Sequence, residues 1–597
     1  MAGFQRELSL WSLSADGLQN DFSKWRKNME LTGAQIVIET LIEQGCDLLF
    51  GYPGGQVTDL FDALYQRRDK IRFVLTAHEQ GAAHAADGYA RASGRVGTVM
   101  ATSGPGATNL VTGIAAAYLD SVPVVAVTGN VPCDQIGRDS FQEVDILGVS
   151  MPVTKHNFIV KDIRDLAETV REAYRIAKSG RPGPVLVDIP KDVQQAKCEF
   201  TPAAAPIEPE PLRRASEHRL ARAAEMIAEA RKPYIYFGGG VIAGNAAAEV
   251  RALAEKIDAP MGCSLMGLSA VPSEHPLFLG MQGMHGHYAA SAAEDEADLV
   301  IALGVRFSDR ATGKKERFAR HFNIIHIDID GAELNKNIPA QLTVRGDLKD
   351  ALIRLNELVQ PQTHPEWLAR IGELRQEEAK RTAQSHAVRR NAALTHDSII
   401  DAVAAAAPED AVIVTDVGQH QMWTAQRYPL KTPRSFLTSG GLGAMGFGMG
   451  AAIGAYLAVG KRPVLFTGDG SFGMNLNELA CAVTEQIPLT VIIMNNGVLG
   501  MVRQWQSLFF DRHFSGTTLN RKTDFVKVAE GFGAQGARAE TPAELAAALE
   551  EAFRCQAPFV IDAKIDMDEL VLPMLPPGGS IDDIITSIIP EIPPAGC

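Results

Sequence analysis

The sequence predicts an α/β protein of three doubly wound parallel-sheet domains, and three observations carry that prediction. Short apolar runs alternate with helix-period segments along most of the chain, the pattern of parallel sheets covered by helices on both faces. A proline-rich, low-complexity piece, TPAAAPIEPEP at 201–211, and a charged helical stretch at 365–383 cut the alternation into three blocks. A chain of 597 residues also exceeds what one hydrophobic core supports.

Residues 1–30 form an N-terminal extension. It lacks the continuous apolar core of a signal peptide and carries acids that a transit peptide avoids, so it reads as a tail whose docking handles are Trp11 and Trp25. The first block, 31–198, has strands expected at 48–50, 73–75, 98–101, 124–128 and 185–189, with a helix from Glu79 to about Ala92. A linker, 199–215, leads to the second block, 216–360, with strands at 234–237, 299–303 and 324–327. A helical linker, 361–392, precedes the third block, 393–579, with strands at 411–415, 464–467 and 489–494, and a C-terminal tail spans 580–597. The uncharged stretch 440–460 is long enough to raise a membrane span, but its glycines mark a ligand loop followed by a buried helix. Short-period repeats are absent, and blocks one and three read as remote copies of one design.

Composition narrows the class. A chain 46% hydrophobic and 21% charged is an ordinary soluble protein, and a formal charge of −14 argues against nucleic acid or an anionic membrane as partner. Seven cysteines without a CxxC pair fit a reduced compartment, the cytoplasm, and no cysteine metal site.

The chemistry concentrates at two strand ends. The run 464–467 stops at Gly468-Asp469-Gly470, and the run 489–494 stops at Asn495-Asn496, with a helical pattern at 475–485 between them. A strand, helix and parallel strand form a right-handed crossover, which sets Asp469 and Asn496 side by side at the carboxyl edge of one sheet. A carboxylate and an amide oxygen are hard ligands for a magnesium ion that keeps bonds to phosphate. Flanking glycines let backbone approach a diphosphate, and Gly470 and Ser471 add donors near a helix N-terminus. Either turn alone is common; the pair at this spacing is not. In the second block, Gly238-Gly239-Gly240 after a strand and Asp328 with Asp330 after another resemble a dinucleotide site loosely. Without GxGxxG, nucleotide binding and a plain strand-to-turn junction stand level on chemistry alone.

GDG followed by a helix and a strand ending in NN resembles the signature of the thiamine-diphosphate enzymes. From about Leu31 to about Ile584 the chain is similar to the catalytic large subunits of acetohydroxyacid synthase, also called acetolactate synthase. The segments that carry this are FGYPGG at 50–55, HEQGAA at 78–83, ATSGPGATN at 101–109, FQE at 141–143 and TKHN at 154–157. GMHG at 283–286, VGQHQMW at 417–423, GGLGAMGFG at 440–448 and GMVRQWQ at 500–506 continue it.

The resemblance implies thiamine diphosphate, Mg2+ and FAD as cofactors, pyruvate and 2-oxobutyrate as substrates, and a homodimer or homotetramer with a possible small regulatory subunit. Pyruvate would be decarboxylated and its hydroxyethyl group passed to a second 2-oxo acid, giving 2-acetolactate or 2-aceto-2-hydroxybutyrate in branched-chain amino-acid synthesis. Glu79 would share a proton with the aminopyrimidine ring as general acid/base, although a lone Glu at a strand-to-helix junction ordinarily complements the helix dipole. Gly55, Phe141, Gln142 and Lys155 would complete the catalytic pocket; singly, Phe141 reads as a core aromatic and Lys155 as a surface lysine. Asp469, Asn496 and the backbone carbonyl of Val498 would hold the metal.

For thiamine diphosphate the resemblance implies Pro53, Val417, Gly418, Gln419, His420, Met422, Gly443, Gly470, Ser471, Gly500 and Met501, with Gln419 and His420 toward phosphate oxygens. Met445 would wedge the cofactor into its bent form. For FAD it implies Gly238, Gly239, Gly240, Ser264, Leu265, Met266, Met284, His285, Gly304, Arg306, Arg310, Asp328, Ile329, Gly346 and Asp347, with Gly440 and Gly441 completing the cofactor-binding set; in that family the flavin does no net redox work. Trp505, with Met284 and Arg310, would choose the acceptor 2-oxo acid.

Four positions depart from the family pattern: Gln56, Arg138, Ser308 in place of an Asp, and Gly450 in place of a proline. Two rivals share the scaffold. One is a pyruvate oxidase or other carboligase, the other a non-catalytic cofactor-binding subunit, against which Glu79, Met445, Asp469 and Asn496 together argue.

Overall fold

In a computed structural model the protein is described over residues 29–387 and 393–587. Trp11, Trp25 and Cys597 lie outside the described residues, as does most of the N-terminal extension.

Three six-stranded sheets, parallel throughout, occupy the three expected blocks. The first runs in space Arg72–Leu75, Leu48–Tyr52, Gly97–Ala101, Val124–Asn130, Val185–Pro190, His156–Ile159. The third runs Phe436–Leu437, Val412–Thr415, Pro463–Gly468, Thr490–Asn495, Phe559–Lys564, Gln535–Ala539. Numbered in chain order within its block, each has the spatial order 2-1-3-4-6-5, so blocks one and three are copies of one topology. The second runs Phe278–Met281, Met261–Cys263, Pro233–Phe237, Leu299–Leu303, Asn323–Asp328, Leu342–Arg345, which is 3-2-1-4-5-6, the order of a dinucleotide-binding sheet. In such sheets ligands bind outside the carboxyl ends of the strands, where the order reverses.

The central strands are apolar because helices cover both faces: all six residues of Pro463–Gly468 and of Thr490–Asn495 are buried. Two features were not legible. Met29–Thr32 pairs antiparallel with Lys197–Phe200, so ordered structure begins before residue 31 and clasps the end of the first block. The C-terminal segment folds back: Met574 and Ile585 exchange backbone bonds, and the Leu575 amide donates to the Met284 carbonyl at 2.8 Å. Residues 580–587, set apart as tail in the sequence reading, therefore lie against the second block.

The first and third blocks meet through two helices, Glu79–Ser93 and Phe447–Val459. Small residues let them touch backbone to backbone: a Cβ at Gly454 would overlap the Ala85 carbonyl oxygen, and one at Gly450 would stand 2.5 Å from that of Gly81. The glycine that departs from the family's proline thus sits in this crossing. No helix among the described residues is long and apolar enough to cross a membrane, and 440–460 is the loop and buried helix expected.

Candidate active site

At the carboxyl edge of the third sheet, Pro463–Gly468 pairs with Thr490–Asn495 in register Gly468 with Met494. Asp469 and Asn496 thus leave adjacent strands next to each other. Helix begins at Asp469 itself, earlier than the pattern at 475–485 indicated, so Gly470 and Ser471 occupy its first turn. Asp469 is 6% exposed, and burial pushes its carboxyl up to about 6. A buried carboxylate held above its usual range is one that a cation would neutralise. The Asn496 amide is oriented from both ends: its Nδ2 donates to Gln419 Oε1 at 3.0 Å, and its Oδ1 accepts from the Val498 amide at 3.2 Å. One lone pair of Oδ1 remains for a metal. Among the described residues no three His, Cys, Asp or Glu side chains could hold a metal ion, so a cation here needs amide, main-chain and phosphate oxygens as well.

Beside this pair stands the Val417-to-His420 turn. His420 is buried, its Nε2 has no partner, and burial pulls its pKa down to about 3, which keeps the ring neutral. An unpartnered buried nitrogen beside Gly418 and Gly468 is a place for a ligand atom. Gln419 has protein partners at both ends of its amide. Its Oε1 takes the Asn496 amide and its Nε2 donates to the Glu569 carbonyl at 2.7 Å, so its side chain orients a metal-ligand candidate. Ser471 likewise spends its hydroxyl on the Val417 carbonyl at 2.7 Å. Met445 is half-buried, and its Cε lies 3.8 Å from where a Cβ on Gly470 would be, which puts the thioether over the same loop. Gly443 lies on that loop against Val417, while Gly500, at the start of the next helix, is packed on Gln419 and Asn496. Met422 and Met501 pack on the adjoining core.

Glu79 stands elsewhere, at the carboxyl edge of the first sheet, as the first residue of Glu79–Ser93. Its Oε2 accepts from Asn109 Nδ2 at 3.0 Å, and its Oε1 faces Gly106. Gln142, at φ 60°, packs on Gly104 in the loop that carries Gly106, so the structure brings it to the same edge. Phe141 is 84% exposed, which excludes the core-aromatic reading. Pro53 and Gly55 are exposed, the Gly55 carbonyl accepting from Lys191 at 2.9 Å. Lys155 is not brought to this edge: its ammonium donates to the carbonyls of Ile176 and Ser179 at 2.5 and 2.7 Å, where it closes the end of Leu166–Lys178. Burial there, with Arg175 nearby, lowers its pKa to about 8. No hydrogen bond or ion pair among the described residues joins Glu79 to Asp469, Asn496 or Met445: they stand at the carboxyl edges of different sheets.

The second sheet offers a third surface. At its point of reversal Gly238 and Gly240 press on Gly304, with no room for a Cβ, and Gly239 faces Met266 beside Ser264 and Leu265. His285 is 6% exposed with neither ring nitrogen partnered. Asp328 ends its strand, lifted by burial to about 6, and accepts from the Asp330 amide at 2.8 Å; Ile329 follows it. A glycine floor and an orphaned buried imidazole fit an extended polar cofactor. Asp347 instead caps Leu348–Leu358, Gly346 packs on Ala215, and Arg306 accepts from Asn337 through its carbonyl. Gly440 abuts Met266, and the amides of Gly440 and Gly441 donate to Asp120, a pairing of first and third blocks that the sequence did not disclose.

Three segments converge on one polar wall. The Arg310 guanidinium lies 5.7 Å from the centre of the Trp505 ring and 3.1 Å from Met284 Sδ. Trp505 is half-buried and the Arg310 side chain is 61% exposed, so a cation–π pair faces open space where an anion can reach it.

Family models for thiamine pyrophosphate enzymes match all three blocks: the N-terminal TPP-binding domain over residues 31–149, the central domain over 220–355 and the C-terminal TPP-binding domain over 416–563. The chain is 46% identical over 555 residues to the acetolactate synthase isozyme 1 large subunit of Escherichia coli, covering 93% of this chain and 97% of that protein. It is 46% identical over 569 residues to an acetolactate synthase of Mycobacterium bovis, covering 93% and 91%. A probable acetolactate synthase large subunit of Methanocaldococcus jannaschii is 44% identical over 573 residues, covering 94% and 96%.

Proposed function

The chain belongs to the acetolactate synthase large-subunit family of thiamine-pyrophosphate-dependent transferases, and on that premise we propose how its residues divide the work. Thiamine diphosphate, when bound, supplies the electron sink for decarboxylation of a 2-oxo acid. Asp469, Asn496 and the Val498 carbonyl would hold Mg2+, with His420 on the same side of the sheet edge. Met445 packs the cofactor's middle, and Glu79 holds and returns a proton at the aminopyrimidine ring. Arg310 receives the carboxylate of the second 2-oxo acid while Trp505 and Met284 wall its side chain. Gly238, Gly239, Gly240 and His285 would hold FAD.

The observation that carries this reading is that Glu79 and the metal pair stand at the edges of different sheets. Glu79 on the first sheet and the metal pair on the third face different ligand edges of one chain, and large apolar side chains stand exposed near them: Phe141, Tyr52, Leu75, Leu442 and Met474. A homodimer in which each cofactor is clasped by Glu79 of one subunit and Asp469 of the other uses both edges and covers those side chains; a homotetramer is two such pairs. The names of the relatives, large subunits, support a small regulatory subunit as a further partner. Six free cysteines among the described residues support a cytoplasmic setting.

Assay of the purified protein with pyruvate alone, and with pyruvate plus 2-oxobutyrate, tests the reading. Acetolactate and acetohydroxybutyrate should form without oxygen uptake. Oxygen consumption matching pyruvate loss would point to a pyruvate oxidase, and no turnover to a non-catalytic subunit.

A further inference from the structure

Glu478 belongs to the third block, at the end of the turn Leu476–Glu478, yet its carboxylate lies in the first block. It is fully buried. Its Oε2 accepts from the Ala77 amide at 3.1 Å and its Oε1 from the His78 amide at 3.0 Å. Those are the last two amides before Glu79. The first turn of Glu79–Ser93 is also shaped around this acid, because a Cβ at Gly81 would run into the Glu478 carboxylate. A buried carboxylate usually takes an Arg or Lys as partner. Glu478 takes two main-chain N–H groups some 400 residues away, and does so beside another acid. Burial lifts its carboxyl to about 7, and the neighbouring Glu79 acts in the same direction. Such an arrangement is unfavourable as a mere tie between domains, since an amide or an apolar contact would do that without desolvating a charge.

We propose that Glu478 is a positioning residue: it fixes the backbone from which the Glu79 carboxylate projects, and so sets how that carboxylate meets its ligand. The proposal rests on the reading of Glu79 as the acid/base group. Both oxygens are needed, because two donors converge on them. Glu478→Gln keeps the shape but turns an NH2 toward one of the two amides, replacing a bond by a clash of donors. Loss of one such buried bond is expected to lower kcat by about tenfold or more, leaving KM for pyruvate and the affinity for thiamine diphosphate with Mg2+ near wild type.

The test has a readout that does not depend on turnover. Amide hydrogen exchange of the cofactor-free protein should accelerate in Glu478→Gln at residues 77–80 while the third sheet keeps its protection. A double-mutant cycle with Glu79→Gln then decides the route. If Glu478 acts through Glu79, the double variant loses no more C2-proton exchange of bound cofactor, followed by NMR, than Glu79→Gln alone. Additive losses, or unchanged exchange at residues 77–80, overturn the proposal. A Glu79→Gln variant with wild-type C2-proton exchange overturns the reading of Glu79 instead, so the two failures are distinct. Should Glu478→Gln not fold, Gly81→Ala disturbs the same carboxylate from the first block and must show the same non-additivity.

Discussion

Asp469 and Asn496 were readable from the chain because a strand that must be buried has to stop somewhere, and what stands at its end is free to do chemistry. Asp469→Ala should abolish magnesium-dependent retention of thiamine diphosphate, since the diphosphate loses its metal bridge. Cofactor titration with and without a chelator measures this, and wild-type affinity in the variant would sink the metal assignment. Lys155 was misplaced, and the bonds of Gln419 were not legible, because a side chain's partner is not in its own segment. Lys155 finds its acceptors in Ile176 and Ser179, and Gln419 finds Asn496 and Glu569; neither pairing leaves a mark in local sequence. Phe141 looks like core by type and is 84% exposed. Trp505 was placed through family resemblance, and its contact with Arg310 gives it a physical role. If the indole packs on the extra methyl of 2-oxobutyrate, Trp505→Leu should spare acetolactate formation and erode preference for 2-oxobutyrate by about tenfold, the worth of about 1.4 kcal/mol. Competition between the two acceptors at fixed pyruvate gives that ratio, and an unchanged ratio would leave Trp505 as wall only.

At the scale of elements, most strands expected from sequence were buried central ones with uninterrupted apolar runs, the exception being Arg72–Leu75 at the edge of the first sheet. Most of those not expected were short or edge strands. Gln535–Ala539 is mostly solvent-facing, Phe436–Leu437 has two residues, and Met261–Cys263 has three. Phe559–Lys564 is a central strand whose run is broken by Asp562, buried and bonded to Asn495 at 2.7 Å. The crossing of Glu79–Ser93 with Phe447–Val459 was equally hidden, because its signal is a set of glycines and alanines that reads as ordinary helix. That crossing yields a stability prediction. Gly454→Ala adds a methyl where the Ala85 carbonyl already stands, so the helices must separate. Although alanine is the better helix former by about 1 kcal/mol, overpacking of this kind costs about 1–3 kcal/mol, and the clash is with rigid backbone. The variant should melt at lower temperature and bind cofactor less tightly, both readable by thermal unfolding with and without thiamine diphosphate; an unchanged transition would show that the crossing yields freely.

At the scale of the molecule, repetition explains the division of labour. Blocks one and three share the strand order 2-1-3-4-6-5, so each has a ligand edge at the same topological point: Pro53 to Gly55 opposite Thr102 in the first, Val417 to His420 opposite Asp469 in the third. The alternation of apolar runs disclosed the three sheets, but strand order depends on pairings between distant segments and was not readable from any one of them. If the two equivalent edges, one bearing the proton-transfer candidate and the other the metal pair, are complementary halves, a second copy of the chain is needed to close each site. Subunit mixing tests this directly. Glu79→Gln and Asp469→Ala should each be nearly inactive as homodimers. Co-expressed, half the dimers are mixed, and each mixed dimer has one site with both residues intact and one with both changed. Activity should therefore return to about a quarter of wild type, which no single-chain site could produce. If the mixture stays as inactive as its parents while size exclusion shows mixed dimers, Glu79 and Asp469 serve the same cofactor within one chain, and the exposed ring of Phe141 must be covered by some other partner.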